Sequence, residues 1–225
     1  MTTSIIEPIT VREFLQTDGL EDWRVTSDGA LAFFQTASFT ESATFVKAIG
    51  EAVTADRHPD IDIRADGVTA RLLTVTDNHY GVTLADVDTA RIISGVAREQ
   101  GLTADTSVLQ SLLVIPGAPN IAEVMPFWQA VLGYEPRPDS PQEDLVDPHG
   151  RGAPFWFEQM QQPRGDGGGA IHIAVCMPYE KGEERVKAAL AAGGHVVRDD
   201  FAPAWWTLAD AAGNEADIAT PKHRD

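Results

Sequence analysis

QSLLVIP, residues Gln110 to Pro116, returns as HIAVCMP, residues His172 to Pro178. Both runs are apolar, both end in proline, and Gln110 falls opposite His172. Each precedes a helical pattern, Ile121 to Leu132 and about Gly182 to Ala192, which stop at Gly133 and at Gly193-Gly194. DLVDPHG (Asp144 to Gly150) then matches TLADAAG (Thr207 to Gly213), and the strand-like PFWFEQM and NEADIAT close the copies. The order is strand, helix, three strands, twice over. A period of about 62 residues is too long for a solenoid, so the pattern predicts a duplicated domain. The glycine-rich RGDGGG (Arg164 to Gly169) joins the copies. It is not a phosphate loop, because no Lys-Ser/Thr follows and a strand comes next.

Upstream of the repeat the pattern changes. LAFFQTAS (Leu31 to Ser38) reads as a strand. Thr40 stands where it can cap a helix with Phe45, Val46, Ile49, Ala52 and Val53 on one stripe. Val68, Ala70, Leu72 and Thr74 alternate with Thr69, Arg71, Leu73 and Val75, the period of a strand. Thr83 opens a second helix with Asp86 at capping-box spacing, Val87, Ala90 and Ile93 inward, and Gly101 at its end. LTADTS (Leu102 to Ser107) is short and polar and reads as a linker. The chain is therefore expected to have two domains, residues 1–103 and 104–225.

Composition narrows the function. The 225 residues carry 17 Lys/Arg against 34 Asp/Glu, a net charge of −17, which repels nucleic acid and anionic lipid. No apolar run approaches the roughly 18 residues of a membrane helix, and MTTSIIEPIT lacks the features of a signal peptide. The single cysteine, Cys176, excludes an intrachain disulfide and fits a reducing cytoplasm. The expected partner is a small molecule, with neither nucleic acid nor membrane, in a homo-oligomer.

The stretch FFQTASFTESATFVKAIGEAVTADRHPDI, followed by VTARLLT and GVTLADVDTARII, resembles the pterin-4a-carbinolamine dehydratase family over roughly Val11 to Gly101. The resemblance implies an α+β fold, with two helices on one face of an antiparallel sheet, and metal-free loss of water from a 4a-hydroxytetrahydropterin. That chemistry needs a base for a ring-nitrogen proton and an acid for the leaving hydroxyl, and histidine suits both. The family usually has two adjacent histidines before the proline and a third at the end of the next strand. Here the pair is Arg57-His58, and the strand end is Val75 or Thr76. Arginine stays charged and accepts no hydrogen bond, so Arg57 is limited to binding or polarising. His79, in the longer turn TDNHYG, is a stand-in for the missing ring or an exposed turn residue. Asp86 falls at the family's acidic position and also suits a helix start. The candidate acid–base set is thus His58, Asp86, Arg57 and His79, with no cofactor.

PFWQAVLGYEP, IHIAV, VKAALAAGGHVV and WWTLADAAGNEADI resemble the vicinal oxygen chelate superfamily, the glyoxalase and bleomycin-resistance fold, over roughly Val108 to Thr220. The resemblance implies paired βαβββ modules forming a barrel around a cleft, often with a divalent metal held by the first and last strand of each module. Carried over, the ligands are Gln110, Glu158, His172 and Asp217, a set suited to Zn²⁺, Ni²⁺, Mn²⁺ or Fe²⁺. Glu158 reaches the cleft only if RGAP (Arg151 to Pro154) is loop. Cys176 shares strand parity with His172, and Phe155, Trp156, Phe157, Trp205 and Trp206 are available to wall a pocket for a flat ligand or to fill the core. Three functions stay open: a dehydratase acting on a pterin or related heterocycle, a degenerate module that sequesters a small molecule or dimerises, and a metal-dependent lyase or dioxygenase of the glyoxalase type.

Overall fold

A computed structural model describes residues 7–161, 171–209 and 215–221, and the statements below concern those residues. The RGDGGG segment and most of the turn before NEADIAT lie outside them. The main division of the chain falls between Leu109 and Gln110.

The first unit runs α1 (Val11–Gln16), β1 (Arg24–Thr26), β2 (Gly29–Gln35), α2 (Phe39–Ala52), β3 (Asp60–Ile63), β4 (Gly67–Leu72), β5 (Thr74–Thr76), β6 (His79–Gly81), α3 (Leu84–Glu99) and β7 (Thr103–Ala104). Its main sheet is antiparallel in the order β1-β2-β4-β3. Ala30, Ala32 and Phe34 sit opposite Leu72, Ala70 and Val68, so these six share one face. They are buried in one core with Phe45 and Ile49 of α2 and Val87, Ala90, Ile93 and Ala97 of α3. Phe34 meets Phe45 edge to face at 5.2 Å, and the buried Trp23 donates its indole N–H to Ser94 at 3.1 Å. The alternate positions, Arg71 with its cross-strand neighbours Leu31 and Asp60, belong to the other face.

Two local expectations change. Ser38, not Thr40, caps α2: its extended backbone lets Oγ accept the Glu41 N–H at 3.2 Å, and Thr40 lies inside the helix. LTADTS is not free linker. Thr103 and Ala104 pair with Gln35 and Phe34, and the Asp105 N–H donates to the Phe33 carbonyl at 2.9 Å. Polar side chains mark exposure, whereas pairing is a backbone matter that composition does not report.

The second unit runs β8 (Ser111–Ala118), α4 (Ile121–Leu132), β9 (Glu135–Pro136), β10 (Asp144–Val146), β11 (Phe155–Trp156), β12 (Glu158–Gln159), β13 (Ile171–Cys176), α5 (Tyr179–Ala191), β14 (His195–Arg198), β15 (Trp205–Ala209) and β16 (Glu215–Ala219). The duplication is visible in the sheet, which runs β14-β15-β16-β13-β8-β11-β10-β9, with β12 also on β8. Outward from the centre, β8-β11-β10-β9 repeats β13-β16-β15-β14: one parallel pairing, then two antiparallel ones. The copies meet where β8 and β13 pair antiparallel. Gly133 ends α4 in the left-handed conformation (φ 68°), which glycine adopts without a Cβ clash.

One face of this sheet is covered by the helices. Val114 packs with Ile121, Met125 and Trp128, and Val175, Trp206, Leu208 and Ile218 pack with Val186 of α5. Phe155 and Phe157 belong to the first of these cores and Trp206 to the second. They fill rather than wall a pocket. The other face carries Leu113, Ile115, Ala174, Cys176, Trp205 and Ala219 as a third apolar cluster.

Candidate functional site

A cavity of about 430 Å³ opens in the first unit, lined by the turn after α2, the facing ends of β3 and β4, and the start of α3. The turn contributes Asp56, Arg57 and His58. His58 is exposed, and its ring Nε2 lies 3.2 Å from the Val53 carbonyl. A carbonyl only accepts, so Nε2 carries the proton and the lone pair of the neutral ring sits on Nδ1. The Arg57 backbone N–H closes the turn on Thr54 at 2.9 Å.

The α3 start contributes Thr83 and Asp86. Asp86 is buried at 9% exposure, and one of its oxygens, Oδ2, accepts three hydrogen bonds of 2.8 Å: from the Thr83 N–H, the Thr83 hydroxyl and the Thr74 hydroxyl. This is the capping box that the spacing predicts, tied additionally to β5. Asp86 faces the cavity as the anchor of its wall.

His79 is half-buried in β6 and is absent from the cavity lining, and its Nε2 is buried without a hydrogen-bond partner among the described residues. Neither Val75, which is exposed, nor Thr76, the two readings of the strand-end position, is in the lining. Among the described residues, His58 is therefore the one imidazole that lines the cavity.

The largest feature missed by sequence reading is Arg71. Its guanidinium donates from Nη1 to Asp28 Oδ1 at 2.6 Å, and from Nη2 and Nε to Asp60 Oδ2 at 2.6 and 3.1 Å. Burial pushes the Asp28 carboxyl up, against the lowering effect of Arg71. Arg71 and Asp60 both line the cavity. The available signal was a charged residue on the polar face of an alternating strand, with an aspartate directly after His-Pro; the cross-strand register that joins them is not written in either segment.

In the second unit, His172 Nε2 lies 3.3 Å from Asp217 Oδ2, and the buried Thr207 donates its hydroxyl to Asp217 Oδ1 at 2.7 Å. The Asp217 hydrogen bond raises the His172 pKa above the usual 6.5, burial opposes this, and the charges of Asp217, Glu158 and Glu215 add to the rise. RGAP lies outside the strands, and Glu158 stands beside Gly117 on the face that carries His172. Gln110 does not join them. His172 pairs with Ile115, five residues further along the chain, or about 17 Å at strand spacing, and Gln110 instead accepts from Arg185 at 3.4 Å. No group of three His, Cys, Asp or Glu residues suited to a metal occurs among the described residues. The four-ligand set implied by resemblance therefore does not fit this geometry.

Residues 6–96 match the family described as pterin 4 alpha carbinolamine dehydratase, and residues 113–219 match a glyoxalase-like domain. A protein of Mycobacterium avium (strain 104), named "Putative pterin-4-alpha-carbinolamine dehydratase", is 42% identical over 79 residues, 34% of this chain and 81% of that protein. A Nocardia farcinica (strain IFM 10152) protein of the same name is 36% identical over 99 residues, 44% of this chain and all of that protein (100%). Among solved structures, a glyoxalase/bleomycin resistance protein/dioxygenase superfamily member from Vibrio splendidus 12B01 aligns with 50% of this chain and 99% of its own, at 15% identity and a TM-score of 0.31.

Proposed function

The chain belongs to the pterin-4a-carbinolamine dehydratase family through residues 6–96, and on that premise we propose that its first unit binds a pterin-type heterocycle and slowly removes water from a 4a-hydroxytetrahydropterin. The observation that carries this is the place of His58 in the cavity, with Nε2 tied back to Val53 and the lone pair on Nδ1. Nδ1 takes the proton from the ring nitrogen, and the C4a–O bond breaks. The same proton passes from the imidazolium to the departing hydroxide, so one water leaves and a C=N bond forms. One ring thus acts in turn as base and acid, where the family usually spreads the work over three.

That economy makes the rate low. An exposed imidazole exchanges its proton with solvent, and Arg57 accepts none. His58→Ala should lower kcat/KM by about 100-fold, the usual worth of a positioned acid or base. Arg57→His returns one imidazole and should raise the rate. An unchanged rate in His58→Ala removes the role. Tight binding with no turnover in the wild type would instead establish sequestration, a reading favoured by the same shortage of imidazoles. The glyoxalase-like unit adds a second site whose polar centre is His172, oriented by Asp217 and Thr207, and no step is assigned to it.

A further inference from the structure

Asp60 and Arg71 line the cavity but take no part in the proton transfer described above. Arg71 holds one oxygen of Asp60 twice, from Nε and Nη2, while its third hydrogen bond goes to Asp28. The Arg71 side chain is 14% exposed and that of Asp60 71% exposed, so a buried cation pins a carboxylate that reaches outward. Both contacts fall on Oδ2, and Oδ1 accepts nothing from the described residues. Asp28 offsets the Arg71 charge, which leaves Asp60 as a net acceptor at the cavity wall. The surrounding wall is acidic on balance as well, with Glu7, Asp56 and Asp88 against Arg57. Such a wall selects a ligand edge that donates N–H groups and disfavours one that presents a carbonyl or a negative charge.

We propose that Asp60, held by Arg71, reads the 2-amino group of the heterocycle and so selects 2-amino-4-oxo ring systems over their 2,4-dioxo counterparts. The inference rests on the proposed function and adds to it the ring edge that faces β3 and β4. Asp60 is the contacting group. Arg71 is a positioning residue, which fixes the carboxylate through a fork that lysine cannot reproduce.

The test is fluorescence titration of the full chain with a simple pterin and with lumazine, which has a carbonyl in place of the amino group, in mildly acidic buffer where both are neutral. The wild type should bind the pterin at least about tenfold more tightly, the worth of a hydrogen bond to a charged group. Asp60→Asn should remove that preference, with lumazine bound at least as tightly as by the wild type because the amide can donate to its carbonyl, which also reports that the cavity is intact. Arg71→Lys should reduce the preference with Asp60 still in place, an effect that a merely structural role would not confine to one of two ligands. Equal binding of both ligands by the wild type, or a preference that survives Asp60→Asn, overturns this inference and leaves the pterin-site reading standing. Failure of the wild type to bind either ligand overturns both.

Discussion

Asp86→Ala separates support from chemistry at the cavity wall. The substitution removes an acceptor that serves three donors at 2.8 Å, two of them on Thr83, which is itself 2% exposed. Thr83 remains the N-cap, but loss of the negative charge in the first turn of α3 costs about 1 kcal/mol. The Thr83 N–H, on a residue only 2% exposed, loses its acceptor, which adds about 1–3 kcal/mol. The sum, about 2–4 kcal/mol, falls on one unit of roughly 100 residues, where each kcal/mol moves the midpoint by about 4–8 °C. The full chain should therefore show one thermal transition lowered by roughly 8–32 °C, with any transition of the other unit unmoved. Asp86→Asn keeps an acceptor but loses its charge, and should lie between the two. Dehydration measured well below the lowered midpoint should fall far less than the ~100-fold expected of an acid or base. Differential scanning calorimetry beside a rate measurement decides the matter. An unmoved calorimetric trace with a collapsed rate would refute the structural account and make Asp86 a reacting group.

Three further outcomes follow from the geometry. Asp217→Asn should lower the His172 pKa, since the hydrogen bond that raises it goes while the burial that lowers it stays, and NMR titration of the ring proton reads this directly. The linkage has a definite sign: with its pKa raised on folding, His172 contributes stability that is fully present below about 6.5 and is lost as pH rises through the folded value, and Asp217→Asn should erase that slope in pH-dependent melting. Metal content after supplementation with Zn²⁺, Ni²⁺, Mn²⁺ or Fe²⁺, read by mass spectrometry, should be the same in Gln110→Ala as in the wild type; a drop would place Gln110 at a site from which the β8–β13 register removes it. A fragment ending at Leu109 should melt higher than one ending at Thr103, because the shorter one lacks Ala104 and the Asp105 bond to Phe33, and equal midpoints would remove β7 from the stability of the first unit.

The duplication was legible because a hydrophobic period survives drift in individual residues. Its consequence for Gln110 was not. Repeat-equivalent residues need not be neighbours: in an antiparallel pair they move away from the centre in opposite directions, and β8 and β13 cross at Leu113 and Ala174. Gln110 and His172 lie on opposite sides of that point. The capping box at Thr83 and Asp86 was legible for the opposite reason, being wholly local. The Arg71 fork joins Asp28 and Asp60, 43 and 11 residues away in the chain, and only the strand pairing announces it. The His58 tautomer depends on one carbonyl five residues back, a contact set by how the turn folds rather than by residue type.

The pairing of β7 with β2 also sets an order of events during synthesis. Gln35 emerges early, yet the neighbour that completes its edge, Thr103, is made 68 residues later, just before Gln110 opens the second unit. Domains fold as units, N-terminal first, while the chain grows. Here the last stitch of the first sheet is also the thread that leads into the next. The first sheet therefore gains its last pairing only once the chain that leads into the second unit is being made.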